Sequence, residues 1–470
     1  MSQLFRRKSV EGLLQNNGEK KKITKTLGAM DLTLMGIGAV IGTGVLVLTG
    51  LVAARDAGPA VILSFILAAI VCGFAALCYA EFASTIPVSG SAYAYTYITI
   101  GEFVAHLMGW TLLSVYVLTT SAVAGGWSAY LGGFLEGFGI YLPDKLMNIP
   151  SNGGLINLPA VVIILFITWL LSKGTKESKR VNNMMVAVKI GVILLFLVVG
   201  VFYVKPENWT PFMPFGVEGV LAGASAVFFA FLGFDALSTS AEEVKNPQRD
   251  LPIGIITSLA VCTVIYVAVC LVMTGMVSYT ELNVPEAMAY VLHAVGHDAI
   301  AGIVAAGAII GIMAVIFAYI YATTRVFYSM ARDGLLPKAF ASINPKTEAP
   351  TMTTWLSGVI AAFVAGFIDL KDLANLANIG ALLTFAMVGL SVIILRKSHP
   401  SLKRGFRVPL VPFLPIVSIG TCVFLMINLP SSTWLYFSIW ILLGVVVYFG
   451  YSKKHSVLVP KVQEEERKRA

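Results

Sequence analysis

Gly36-Ile37-Gly38-Ala39-Val40-Ile41-Gly42-Thr43-Gly44 interrupts an apolar run over residues 30–55, and Phe228-Phe229-Ala230-Phe231-Leu232-Gly233-Phe234-Asp235 interrupts another over 217–240. A glycine in a helix interior costs up to about 1 kcal/mol, so four in nine positions invite unwinding. Unwound backbone inside a membrane frees N–H and C=O groups that lipid cannot satisfy, so they must face protein or ligand. Gly38 and Gly42 also form a GxxxG pattern, which packs helices together, and the pattern alone leaves packing and unwinding both open. The GxG fragment is no nucleotide fingerprint, because no strand precedes it. In the second stretch, an acid beside Gly233 is costly within a membrane and points to function. Asp235 capping a following half-helix near the cytoplasmic side is the alternative.

Composition supplies the membrane. Of 470 residues, 57% are hydrophobic and 12% charged, with mean hydropathy +0.83; a soluble domain carries about 25% charged residues. Stretches at 30–55, 59–84, 93–133, 156–173, 181–204, 217–240, 251–278, 298–331, 351–369, 374–396, 408–429 and 432–452 are each long enough to cross, at about 20 residues per bilayer core. The third and eighth exceed a simple crossing and are expected to be long, tilted or broken. The five cysteines all fall in apolar segments without metal-ligand spacing and read as small buried hydrophobes. Residues 1–28 are polar and basic, so a cytoplasmic tail is expected there and not a cleaved signal.

With the amino terminus inside and twelve crossings, 28 of the 33 Lys and Arg residues fall on the cytoplasmic side. They lie in the N-terminal tail (Lys20, Lys21 and Lys22 among them), at 173–180, 245–249, 325–346 and 396–407, and in the C-terminal tail. Arg55, Lys145, Lys205 and Lys371 are the four outside, and Lys189 lies within span five. That asymmetry is the positive-inside rule, and it predicts both termini in the cytoplasm of a cell-membrane protein. The net charge of +8 then concerns topology and anionic lipid headgroups, and nucleic acid is not required.

The two interruptions are five spans apart. Broken helices at matching positions of two halves point to a transporter built from inverted repeats. Half-helix N-termini attract a carboxylate and half-helix C-termini an ammonium, which suits the two ends of an α-amino acid. Lys189, in the apolar setting MMVAVKIGVILLFLVVG, is either a lysine snorkelling to the interface or a buried ammonium. A buried one is able to lose and regain a proton, and while charged it would bond carbonyls left open in span one, with those of Gly42 and Gly44 expected.

GIGAVIGTGVLVLTG (36–50), PVSGSAYAYTY (87–97), NNMMVAVKIG around Lys189, FLGFDALSTSAEEVKNPQRDLPIGI (231–255) and RVFYSMARDGLLP (325–337) together resemble the amino acid–polyamine–organocation superfamily. The likeness is strongest to bacterial permeases similar to animal cationic amino acid transporters, and it covers nearly the whole chain. It implies an all-α polytopic fold of the leucine-transporter type with about twelve transmembrane helices, a 5+5 inverted repeat plus two C-terminal helices. The parts would be a tail at 1–28, repeats at 29–204 and 205–397, two further helices at 398–452, and a cytoplasmic tail at 453–470. The resemblance places Val40, Ile41, Gly42, Thr43 and Gly44 around the substrate, together with Phe231, Leu232 and Gly233 of the second break. Thr43 and Gly44 would meet its carboxylate. Val40, Ile41 and carbonyls near Phe231 would meet its amino group, and Phe231 would gate it. Lys189 would stand in for sodium as the proton-coupling group.

Relatives in the cationic branch carry a glutamate in span three where this chain has Val115. With Val115, Phe231 and Tyr321 around it, the side-chain end of the pocket is expected to be apolar, and Glu102, Asp235 and Asp369 are expected near span ends. An unpaired guanidinium buried there would cost several kcal/mol. The expected substrate is therefore a neutral, branched aliphatic amino acid imported with protons, and a cationic amino acid carrier or an exchanger is the rival. A channel would need a lined pore or filter loops, which are not evident. A membrane enzyme finds only His293 and His297 as a spaced pair, without a third ligand. The sequence calls for no cofactor and no metal, and the expected partners are substrate, protons and membrane lipids around a monomer.

Overall fold

The computed structural model describes residues 3–9, 25–344 and 350–458, with the helix but not the side chains at 175–180. Lys20, Lys21, Lys22, Lys346, Lys461, Arg467, Lys468 and Arg469 lie outside them. The elements among the described residues are all helical, and a bridge between Leu27 and Val244 is the one β-type pairing there. It ties the entry of span one to the exit of span six.

Span one opens with α1 (Ala29–Val40) and resumes as irregular turns at Gly44–Leu48, Thr49–Val52 and Ala53–Ala57. Then follow α2 (Val61–Thr85), α3 (Ala92–Thr99) and α4 (Glu102–Glu136). The expected third span is thus broken at Gly101, whose φ of +138° suits glycine. Next come α5 (Leu158–Ser172), α6 (Thr175–Gly200) and α7 (Gly216–Val227). After the second break lie α8 (Pro247–Met276), the short α9 (Ala287–Ala294) and α10 (Asp298–Arg332). The chain closes with α11 (Thr351–Phe367), α12 (Leu370–Ser398), α13 (Phe413–Ile427) and α14 (Ser431–Val447).

Among the described residues, eight helical stretches are long and apolar enough to cross a membrane, and α1, α5, α11 and α13 are apolar but shorter. The side chains are sorted as lipid would sort them. Large apolar groups such as Val162, Val264, Phe363 and Leu442 are exposed, while Glu81, Glu102, Lys189 and Asp235 are buried. The molecule is an all-helical, multi-pass membrane protein. Its centre is α1 and the two breaks, enclosed by α2, α4, α6, α8 and α10.

One ionic knot fixes the frame away from the centre. Glu81 of α2, 1% exposed, accepts from Arg396 Nε at 2.9 Å and Nη2 at 2.5 Å, and from the Val408 backbone N–H at 2.7 Å. Arg404 Nε adds an ion pair at 3.3 Å. The carboxylate thereby holds α2, α12 and the segment leading to α13. Removing one partner of a buried ion pair strands the other charge. Glu81→Ala should cost about 3 kcal/mol, seen as a lower thermal midpoint of the purified protein, whereas an exposed charge such as Glu207 should show no such loss.

Candidate functional site

The helix of span one stops at Ile41, where ψ is 106° and the backbone is extended. In span six, tight turns at Phe228–Phe231 give way to extended Leu232 and to Gly233 at φ +128°, before a second tight helix at Asp235–Glu243. Both interruptions are therefore real breaks.

The glycine run serves close approach as well as unwinding. A Cβ on Gly36 would meet Ser258 Oγ of α8 at 2.5 Å, and one on Gly38 would meet Val186 of α6 at 2.7 Å. On Gly42 it would strike Val315 of α10 at 2.9 Å, and on Gly44 the backbone of Ala230 at 2.3 Å. Each glycine admits a different neighbour, which no single helix pair explains. Gly233 completes the crossing, for a Cβ there would lie 2.8 Å from the Ala39 carbonyl carbon. The two breaks thus touch backbone to backbone.

Lys189 is 1% exposed, so it does not snorkel. Its Nζ donates to the carbonyls of Gly38 at 2.8 Å and Ile41 at 2.6 Å. These correct the expected acceptors, Gly42 and Gly44, by about one turn. In an unbroken helix the Gly38 carbonyl would take the N–H of residue 42, and Ile41 that of residue 45. The ammonium occupies the acceptors that unwinding frees, through charge-assisted bonds.

Tyr266 of α8 was not singled out in the sequence. Its hydroxyl lies 2.9 Å from the Val40 carbonyl and 2.8 Å from that of Ala230, one from each break. Its ring packs on Phe231, with centroids 5.1 Å apart. A tyrosine alone in the apolar run of span seven was the available signal, since a buried hydroxyl needs a partner. Thr43 is fully buried against Gly126 of α4, and its hydroxyl has no protein partner.

The side-chain end differs from expectation. Val115 turns toward Gly380 of α12, where an added Cβ would meet it at 2.6 Å. Tyr321 donates to Glu243 at 2.5 Å and lies beside Arg325, in a cluster that ties α10 to the end of span six. Neither contact is with Phe231. Their neighbours are nearer: Tyr319 of α10 shares a helix face with Val315 and Gly311, which meet Gly42 and Lys189. Tyr116 of α4 donates to Asp235 Oδ2 at 2.8 Å. Asp235, 3% exposed, also accepts from the Gly233 N–H at 3.2 Å. It sits at the break, where the second half of span six begins, which corrects its expected place at a span end. Glu102 is held at the other end of α4 by Tyr97, Tyr448 and Ser456, and Asp369 caps α12.

A cavity of about 520 Å³ runs inward from the Glu136 end of α4, reaching Val47, Gly126 and Ala226 beside the breaks. Glu286 at its wall has its carboxyl pushed up, chiefly by burial. The Glu102 end is tied shut by Arg325 to Glu243 at 2.6 Å and Lys8 to Asp333 at 2.5 Å. His293 and His297, four apart in sequence, have separate partners: His293 pairs with Asp298 and His297 with Tyr203. The five cysteines are buried and free.

Residues 27–450 match the family described as Amino acid permease. A Bacillus subtilis protein named Methylthioribose transporter is 54% identical over 97% of this chain and its whole own length. The Branched-chain amino acid permease BcaP of the same organism is 48% identical over 97% of this chain and 99% of its own. An Arabidopsis thaliana relative, Cationic amino acid transporter 4, vacuolar, is 38% identical over 85% of this chain and 68% of its own.

Gly233→Ala adds a methyl group where both space and φ forbid one, and Tyr266→Phe removes the hydroxyl between the breaks. Substrate uptake into proteoliposomes should fall at least tenfold in each, with Tyr266→Phe still folded by its elution profile.

Proposed function

The chain belongs to the amino acid permease family of the amino acid–polyamine–organocation superfamily, and from that premise we propose that it imports neutral amino acids, those with branched side chains foremost, together with protons. The observation that carries the coupling is the Lys189 ammonium on the carbonyls of Gly38 and Ile41. A charged lysine holds α6 to the broken span and keeps the site formed. Release of its proton removes that tie, loosens the break and favours discharge of the substrate. One proton inward per zwitterion makes transport electrogenic.

Neutrality follows from the state of the nearest acid. Asp235 is buried and already accepts from Tyr116 and the Gly233 N–H, so a guanidinium would have to share its oxygens with both. The name of the BcaP relative favours branched side chains. Within this proposal the substrate carboxylate meets Thr43 and Gly44, its amino group meets carbonyls at Val40, Ile41 and Phe231, and Phe231 gates the pocket. Leu232 and Gly233 shape its floor.

The same proposal covers the topology. Twelve crossings arise when the shorter apolar helices cross as well, as two inverted repeats of five and two further helices. The termini then lie in the cytoplasm of the cell membrane, where the basic residues gather, and the cavity faces outward with the cytoplasmic end closed. A monomer suffices, with lipid around it.

Two outcomes are expected in sodium-free proteoliposomes. An imposed inward proton gradient should drive leucine accumulation in the wild type, and Lys189→Ala should abolish it. Lys189→Arg stays charged and should bind leucine without accumulating it. Accumulation by Lys189→Ala equal to wild type would overturn the coupling role. Unlabelled isoleucine should displace labelled leucine far better than arginine or lysine does, and the reverse order would return the chain to the cationic class.

A further inference from the structure

Asp235 stands among tyrosines that are not all spent. Tyr116 uses its hydroxyl on the carboxylate. Tyr79 of α2 and Tyr319 of α10 are 0% and 1% exposed, and neither hydroxyl has a hydrogen-bond partner in the protein. Ser91 lies near the Tyr79 hydroxyl without forming a proper bond to it. Both hydroxyls lie within electrostatic reach of Asp235. The Tyr79 ring packs edge-on against Phe234, between Gly233 and Asp235, at 5.9 Å, and the Tyr319 ring lies 5.6 Å from that of Tyr116.

A buried hydroxyl left unpaired is a standing free-energy cost, and two from different helices beside one fixed carboxylate call for a shared occupant. Tyr319 lies on the α10 face that carries Val315, the residue against Gly42. The vacant hydrogen-bonding capacity therefore adjoins the break where the substrate is proposed to sit. An ammonium or guanidinium would have to share the Asp235 oxygens with Tyr116 and the Gly233 N–H, whereas the two tyrosine hydroxyls have no protein competitor. What remains on Tyr79 and Tyr319 both donates and accepts, and a ligand hydroxyl does the same.

We propose that Tyr79 and Tyr319, held beside the Asp235–Tyr116 pair, form a hydroxyl-binding subsite at the side-chain end of the substrate pocket. It selects neutral solutes that carry a hydroxyl over aliphatic solutes of the same shape. The proposal rests on the breaks being the substrate site and narrows the class that site takes. It also gives a sugar-bearing solute, such as the one in the name of the 54% identical relative, a place to bond.

Threonine and valine differ by a hydroxyl in place of a methyl and separate the possibilities by calorimetry on the purified protein. Wild type should bind threonine roughly tenfold or more tighter than valine, as expected where buried polar groups otherwise stay unpaired. Tyr79→Phe and Tyr319→Phe remove hydroxyls that the protein itself does not use, so both should fold. Each should pull the threonine-to-valine ratio toward one and leave valine affinity unchanged, and each should weaken methylthioribose if that solute binds. Equal affinity for threonine and valine in wild type, or a ratio unmoved in both variants, would make this a hydrated structural cluster and overturn the proposal. Lysine or arginine binding better than threonine would make Asp235 a counter-ion and overturn it also. If threonine, valine and methylthioribose all fail to bind, the substrate reading beneath the proposal falls, and the proposal with it.

Discussion

A lysine ammonium held between two main-chain carbonyls governs the arrangement of everything around it. Breaking a helix in a membrane exposes acceptors that no lipid can satisfy. Lys189 reaches from α6 to the carbonyls of Gly38 and Ile41, the groups released when the chain turns away at Ile41. The exchange works in both directions. The carbonyls gain a strong donor, and the charge gains the partners without which its burial would be prohibitive. Span one can stay open at its middle because span five supplies what the missing turn no longer does.

The rest of the centre follows from how closely the second break must approach the first. Gly44 lies against Ala230 and Gly233 against Ala39, so each interruption packs into the other with no side chain between. Gly36, Gly38 and Gly42 meanwhile let α8, α6 and α10 close in on the same stretch. Four elements converge on about nine residues, and only glycine leaves them room. Packing and unwinding are thus one property of the run: the contacts that crowd it also fix where it departs from a helix.

Much of this was legible in the residues. Glycines clustered within apolar spans, at matching places five spans apart, located both breaks, and a lone lysine in apolar text marked its own importance. What failed was direction around a helix. Tyr321 and Val115 are near the site in sequence, but successive residues differ by about 100° in heading. Two positions separate Tyr321 from Tyr319, and one separates Val115 from Tyr116, and in each case the neighbour faces the centre. Asp235 was misplaced because the break falls two residues before it, in the middle of the span, so the acid opens the second half of span six inside the core. Tyr266 stands alone in its apolar run, but its partners are carbonyls, which every residue carries, so the sequence could not name them.

That tyrosine has a further consequence. A phenol owns one hydrogen, yet Tyr266 stands within bonding distance of two acceptors, the carbonyls of Val40 and Ala230. At any instant it can serve one well and must leave the other short. A small rotation of one O–H bond, with no movement of the backbone, therefore decides which half of the molecule has an empty lone pair at its centre. Whatever enters with a proton to give will find one vacancy there, and by filling it will settle the hydroxyl on the other side.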